Sequence, residues 1–421
     1  MSSVRIEPSA ARGTVAAPPS KSMAHRALIC AALAPGKSRI ENLAMSEDIK
    51  ATVGALRALG ADIEIDVQNG TALVTGMDPK SRPASDIIDC RESGSTLRFM
   101  IPLCLLRGGR MKLAGSRRLF ERPLSVYEEL FRRDHIYYRK TENGIELEGK
   151  LAGGAYPVRG DISSQFITGL LLALPMLGKD SCVTVTGGLQ SGPYVGMTLE
   201  MQRIFGAEID AAVCENGNLR YSIGKDCCYH CADYTVEGDW SNAALLDLLG
   251  ITGENELDVT GLHACSLQGD RVYQEYYEQI RNYEPAEGMT APVLDIADCP
   301  DLGPALIAAA AMCHGAVLTG TARLAIKESD RGHAMAEELA KFGIGITVRE
   351  DSIVIPDAVL QAPEQSLSGH NDHRIVMALA ALCTVTGGVI EGAEAVKKSF
   401  PDFFEKIGKA GIILQGDETI S

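Results

Sequence analysis

The sequence predicts an α/β protein of two similar domains, each made of three repeated helix-and-strand units. Three observations carry that prediction. The chain has 421 residues, more than a single hydrophobic core normally organises, so it divides into domains. Hydrophobic residues make up 46% and charged residues 23%, the balance of a folded globular chain. The third observation is a recurring local pattern, found at 54–65, 199–210, 336–347 and 403–414, in which an amphipathic helix pattern runs into a glycine and then into alternating apolar residues.

Within each copy the apolar spacing before the glycine is helical. Gly60, Gly206, Gly343 and Gly411 fit the left-handed position that ends a helix. The alternation that follows is that of a strand. The spacing of the four glycines suits a unit of roughly 70 residues if two copies are degenerate. One degenerate copy is expected at 126–140, with Asp134 in the glycine place, and the other at 273–283. Domain boundaries are read from two crossings. Pro18-Pro19 is the first, and Gly238-Asp239-Trp240, after the polar stretch 225–233, is the second. The expected division is therefore a discontinuous first domain, 1–18 plus 235–421, and a second domain, 19–234.

Charge and composition exclude several classes. There are 55 acidic against 40 basic residues, a net charge of −15, which argues against a nucleic-acid partner because such domains are usually basic. The apolar runs 167–178 and 97–106 are short and interrupted, so no membrane association is expected. The start MSSVRIEPSA has no apolar signal region, and a cytoplasmic protein is expected. The twelve cysteines then read as reduced thiols. Cys227, Cys228, His230 and Cys231 crowd four potential ligands into five residues. Such a run does not easily surround one ion, and no metal is assigned.

Candidate chemistry concentrates at helix starts. In PPSKSMAHRALICAAL (18–33), Ser20 or Ser22 can cap the helix, and Lys21 and Ser22 sit where free N–H groups favour an anion. Arg26 lies one turn further on the same face. Gly36-Lys37-Ser38 is not the end of a P-loop, because the required first glycine position holds Ala31. ESGSTLRF (92–99) places Gly94 where backbone can approach a ligand, and SRRLFERP (116–123) supplies Arg117, Arg118 and Arg122. DISSQFITG (161–169) and SGPY (191–194) offer hydroxyls and an amide at turns. Further on, Asp301 heads an alanine-rich helix pattern, KESDR (327–331) and NDHR (371–374) precede helices, and Lys398 stands before an aromatic-proline turn. Bases at helix starts oppose the dipole unless an anion is present. An acidic chain that places its bases there suggests an anion-binding cleft.

These motifs, in this order and spacing from about residue 6 to 413, resemble the 5-enolpyruvylshikimate-3-phosphate (EPSP) synthase family, the 3-phosphoshikimate 1-carboxyvinyltransferases. The resemblance implies two domains of three repeated units with the active site in the cleft between them. It implies an enzyme of aromatic amino acid biosynthesis that transfers the enolpyruvyl group of phosphoenolpyruvate to the 5-hydroxyl of 3-phosphoshikimate through a tetrahedral adduct. It also implies that Lys21, Ser22, Arg26, Ser163, Ser164, Gln165, Ser191, Asp301 and Lys327 meet 3-phosphoshikimate, and that Lys21, Gly94, Arg122, Gln165, Arg331, Arg374 and Lys398 meet phosphoenolpyruvate. Asp301 and Glu328, with Lys21, are the implied catalytic groups. The expected partners are the two small substrates; no cofactor and no metal is expected, and the implied state is a monomer. Two positions depart from the family pattern: Glu92 stands where asparagine is common, and Arg323 where asparagine occurs in some members. The alternatives are the related transferase acting on UDP-N-acetylglucosamine, which presents a reactive cysteine before its Arg-Pro pair, and a catalytically silent anion-binding protein on the same fold. Residues 107–123 contain no cysteine.

Overall fold

A computed structural model describes residues 2–78, 81–252, 256–286 and 290–416. The chain forms two compact units, Pro19–Glu237 and Met1–Pro18 with Gly238–Ser421. Each unit has its own buried apolar core.

In the unit Pro19–Glu237 the helices are α1 (Lys21–Leu33), α2 (Glu47–Leu59), α3 (Gly94–Cys104), α4 (Arg117–Glu121), α5 (Ser125–Arg133), α6 (Ser164–Ala173) and α7 (Gly192–Ile204). Three four-stranded sheets share one plan. In the clearest case Ala155–Arg159 leads through α6 to a parallel neighbour, Ser181–Thr186, and α7 then leads to the antiparallel hairpin Asp210–Val213 and Leu219–Ile223. Ile87–Asp89, α3, Arg110–Ala114, α5 and the hairpin Tyr137–Thr141 and Gly144–Glu148 repeat it. The remaining sheet borrows its parallel edge: Tyr234–Thr235, from the far end of the unit, lies beside Lys37–Glu41. A parallel pair needs a long crossover while an antiparallel pair needs only a tight turn, so one helix per crossover follows from the topology.

The other unit contains α8 (Trp240–Asp247), α9 (Tyr273–Asn282), α10 (Gly303–Met312), α11 (Arg331–Lys341), α12 (His373–Thr386) and α13 (Phe403–Lys409). Val293–Asp295, α10, Ala316–Thr319, α11 and the hairpin ending at Ile355 repeat the same plan. So do Leu367–Ser368, α12, Gly388–Glu391, α13 and Leu414–Gly416, with the N-terminal strand Ser3–Ile6 taking the inner place. The sixth copy is reduced to the parallel pair Arg12–Ala16 and Glu256–Thr260 with α8 and α9. Six helix-and-strand units in two sets of three are thus present, and the sixth has no hairpin among the described residues. Helices α1, α10 and α12 are buried nearly all round, which is why their sequences lack a polar face. Among the described residues no helix is long and apolar enough to cross a membrane.

The marker glycines Gly60, Gly206, Gly343 and Gly411 have φ of +108°, +78°, +80° and +104°. At the degenerate copy after α5 the structure corrects the sequence reading. Asp134 keeps φ −93°, and the next residue, His135, takes the left-handed place at +55°. Asp134 continues the helical turn, its N–H donating to the Leu130 carbonyl, and so pushes the reversal one residue on. A side chain there brings the Cβ clash that disfavours left-handed backbone. His135→Gly is therefore expected to stabilise the protein by about 1 kcal/mol, read as a raised midpoint in denaturant. Gly206→Ala should do the reverse, since its Cβ would lie 2.5 Å from His230 Cδ2. An unchanged midpoint in both variants would refute the strain assignment.

Candidate active site

In the unit Pro19–Glu237, helix starts are drawn together by polar contacts. Ser20, not Ser22, caps α1, its Oγ accepting from Met23 N at 3.5 Å. Lys21 Nζ meets Asp48 Oδ2 at 2.8 Å, tying the first turn of α1 to that of α2. Arg26 is buried and spends its guanidinium inside the protein. Its Nη1 donates to Ser22 O (2.6 Å), Nη2 to Tyr194 O (2.8 Å) and Nε to Thr198 Oγ1 (2.8 Å). Burial lowers it to about 10. Arg26 thus stitches α1 to α7 and fixes the SGPY turn, where Ser191 is buried at φ +56° and its side chain does not cap the helix.

A buried chain of hydroxyls continues this arrangement. His25 Nδ1 lies 2.7 Å from Thr52 Oγ1, Thr52 lies 2.7 Å from Thr96 Oγ1, and Thr96 Oγ1 donates to Ser93 Oγ, the α3 cap, at 2.8 Å. Burial first, then Lys21 and Arg26, holds His25 well below its ordinary pKa, so the ring is neutral. Gln165 bridges α6 and α3: its Nε2 donates to Ser95 Oγ (2.9 Å) and its Oε1 accepts from Arg98 Nη1 (2.7 Å). Ser163 caps α6 through Gln165 N, and Ser164 is buried behind it. Gly94 is required by space. A Cβ there would lie 2.5 Å from Arg122 Nη1, so the absence of a side chain lets that guanidinium lie across the start of α3.

In the other unit an arginine sits among carboxylates. Arg331, the first residue of α11, is only 1% exposed. Its Nε meets Asp372 Oδ2, its Nη1 Asp301 Oδ1 and its Nη2 Glu328 Oε2, each at 2.8 Å. Arg374 Nη2 reaches Asp301 Oδ2 at 3.2 Å, and Lys327 Nζ reaches Asp301 Oδ1 at 3.1 Å. Arg374 Nε and Nη1 are buried with no acceptor among the described residues, so this side chain has donors to offer an anion. Lys398 Nζ donates to Asn371 O at 2.6 Å, beside the same group. Burial would raise Asp301, but Arg374, Lys327 and Arg331 together hold it well below the usual carboxylate range. Burial draws Lys327 down to about 8, against the opposing pull of Asp301.

The structure therefore gathers Lys21, Ser22, Arg26, Gly94, Arg122, Ser163, Ser164, Gln165 and Ser191 around helix starts of one unit. In the other it gathers Asp301, Lys327, Glu328, Arg331, Arg374 and Lys398. Three partners escaped the sequence reading: Asp48 under Lys21, Arg98 under Gln165, and Asp372, which caps α12 and holds Arg331. Only Arg98 and Asp372 lay inside motifs already singled out. Of the departures, Arg323 is nearly buried with Nη2 donating to Ala297 O, and Glu92 is half-buried. In the cysteine-rich run, Cys228 Sγ lies 3.5 Å from His230 Nε2 and Cys227 Sγ donates to Glu208 O.

A titration tests the electrostatics of the second group. Lys327 should ionise near pH 8, read by NMR of a labelled lysine, against an ordinary value of 10.5. Asp301→Asn removes the attraction that favours the ammonium form, so the value should fall further. A rise would contradict this arrangement.

A model of the family described as EPSP synthase (3-phosphoshikimate 1-carboxyvinyltransferase) matches residues 6–407. The 3-phosphoshikimate 1-carboxyvinyltransferase of Clostridium kluyveri is 41% identical over 98% of this chain and 98% of its own. That of Clostridioides difficile is 38% identical, again over 98% of each. Among solved structures, the EPSP synthase of Acinetobacter baumannii superposes with a TM-score of 0.77 at 25% identity, covering 99% of this chain and 100% of its own. The enolpyruvyl transferase NikO of Streptomyces tendae shares the fold, with a TM-score of 0.71 at 15% identity over 99% and 98% of the two chains. With its length, its ordered motifs and its repeated architecture all matched, the chain belongs to the EPSP synthase family.

Proposed function

We propose that the protein transfers the enolpyruvyl group of phosphoenolpyruvate to the 5-hydroxyl of 3-phosphoshikimate and releases phosphate. The observation that carries this reading is family membership along nearly the whole chain, with every site residue named from the sequence present in the two groups described above. Lys21 and Ser22, at the start of α1, together with Ser163, Ser164 and Ser191, receive 3-phosphoshikimate, chiefly its phosphate. Free N–H groups and the positive helix ends favour that dianion. Arg26 supports the site by fixing Ser22 and the Tyr194 turn. Gln165 lies between the two substrates. Arg122, Arg374 and Lys398 hold the carboxylate and phosphate of phosphoenolpyruvate, for which guanidinium forks are suited. Arg331 serves that side by keeping Asp301, Glu328 and Asp372 in place.

The reaction forms a bond from the 5-hydroxyl oxygen to C2 of phosphoenolpyruvate while C3 takes a proton, giving a tetrahedral adduct. The C2–O bond to phosphate then breaks and C3 returns a proton, leaving the enol ether. Asp301 accepts the hydroxyl's hydrogen bond. Held so far below the usual range, it takes the proton only as the new C–O bond makes the hydroxyl acidic. Lys327 lies 3.1 Å from Asp301 with its pKa drawn to about 8; as an ammonium near neutral pH it helps keep Asp301 ionised and ready to accept that proton. Glu328, with Lys21, serves the C3 proton and the departing phosphate. Each step uses the chain's own groups, and we propose no cofactor and no metal. We propose a monomer that works in the cytoplasm.

Phosphate release with both substrates present tests the reading, and it should persist in EDTA. Glu328→Gln and Asp301→Asn should lower kcat by about 10²–10⁴-fold with much smaller changes in KM. Lys398→Met should chiefly raise the KM for phosphoenolpyruvate. Release with UDP-N-acetylglucosamine instead of 3-phosphoshikimate, or wild-type turnover in either carboxamide variant, would overturn the assignments.

A further inference from the structure

Glu338, towards the end of α11, is assigned no part in the reaction above, yet its side chain is fully buried. Its carboxylate accepts from Lys341 Nζ at 2.9 and 3.0 Å, from His370 Nε2 at 2.9 Å and from the Ser368 backbone N–H at 2.9 Å. Lys341 Nζ also reaches Ser366 O at 3.1 Å. Residues 366, 368 and 370 are thus gripped from one buried carboxylate and its ammonium partner. Glu337 stands close enough to complete a cluster of potential metal ligands. The positive charge on that cluster comes from Lys341, however, whose ammonium lies within 3.0 Å of both Glu338 oxygens.

The segment held in this way is strained and leads directly into the carboxylate group. His370 and Asn371 adopt φ of +48° and +51°, backbone that costs energy for residues other than glycine and persists only where surroundings enforce it. Asn371 O accepts from Lys398. Asp372 N donates to Gly369 O at 2.8 Å, and the Asp372 side chain caps α12 while meeting Arg331. Arg374 follows two residues later.

We propose that Glu338 and His370 are positioning residues for the reaction, holding the 368–372 turn in the strained form that presents Asp372 to Arg331 and Arg374 to phosphoenolpyruvate. The proposal rests on the function proposed above. It also carries a pH dependence. The hydrogen bond to Glu338 raises His370 above its ordinary value, aided by the charges of Glu338 and Glu337 and opposed by burial and Lys341. An imidazolium donor makes the stronger, charge-assisted bond. The anchor is therefore at full strength below that raised value and weakens as pH rises through it.

The test compares His370→Ala, His370→Gln and the wild type by hydrogen exchange of the 366–376 segment, by steady-state kinetics and by thermal midpoint. His370→Ala should speed exchange in 368–372 and raise the KM for phosphoenolpyruvate by about 10-fold, while the KM for 3-phosphoshikimate and the midpoint change little. His370→Gln, whose amide can still donate to Glu338, should recover most of the loss. It should also abolish the rise in phosphoenolpyruvate KM that the wild type shows at alkaline pH. Unchanged exchange and KM in His370→Ala would overturn the proposal. Equal losses in both variants with a fall in midpoint would also overturn it, leaving a merely structural role. Faster exchange beside a wild type that turns over neither substrate would refute the function itself, and the positioning role with it.

Discussion

Arg331 and the carboxylates of Asp301, Glu328 and Asp372 form the interaction on which the surrounding arrangement depends. Asp372 is completely buried, and its Oδ2 accepts from Arg331 Nε at 2.8 Å and Ser329 Oγ at 3.1 Å. Carboxylates in such a place are costly to desolvate, and the cost is offset only where hydrogen-bonded cations are fixed around them. Arg331 meets this demand because its planar, permanently charged guanidinium carries five N–H donors on three nitrogens and so reaches three separate carboxylates from one fixed fork. The same demand explains why α11 begins with a cation although the dipole opposes it. Three acidic oxygens reverse the local field.

Cations in the two units are used in contrasting ways. Arg26 and Arg331 are buried and turned inward, towards carbonyl and carboxylate acceptors of the protein. They set geometry. Arg374 keeps two buried guanidinium nitrogens without an acceptor among the described residues, and Arg122 lies across a glycine that leaves it room. Lys327 takes a third role, since burial brings its proton affinity towards neutrality while Asp301 keeps it from falling further. Residue type alone does not separate these roles; burial and partners do.

Much of this was legible in the sequence because it is local. The helix period, the terminal glycines and the alternation after them identified the repeat, and the ordered motifs named the groups at the helix starts. What escaped was set by tertiary contacts. Asp48 meets Lys21 across 27 positions, and Arg98 meets Gln165 across 67; nothing in either local pattern announces the pairing. The left-handed residue after α5 was misplaced by one because Asp134 completes a helical turn that the copies ending in Gly206 and Gly343 complete with Phe205 and Phe342. The shared sheet plan was legible only as a count of units. Its inner strand in one copy comes from the other end of the chain, as Ser3–Ile6 beside Gly388–Glu391.

The direct test of Arg331 as the shared counter-ion is a double-mutant cycle with Asp372. Arg331→Met leaves buried carboxylates without their cation and should cost about 3–5 kcal/mol of unfolding free energy. Asp372→Asn added to that variant removes one of the stranded charges and should restore part of the loss, so the double variant is more stable than Arg331→Met alone. Strictly additive losses, with the double variant the least stable of the set, would contradict the view that this cation exists to hold those carboxylates.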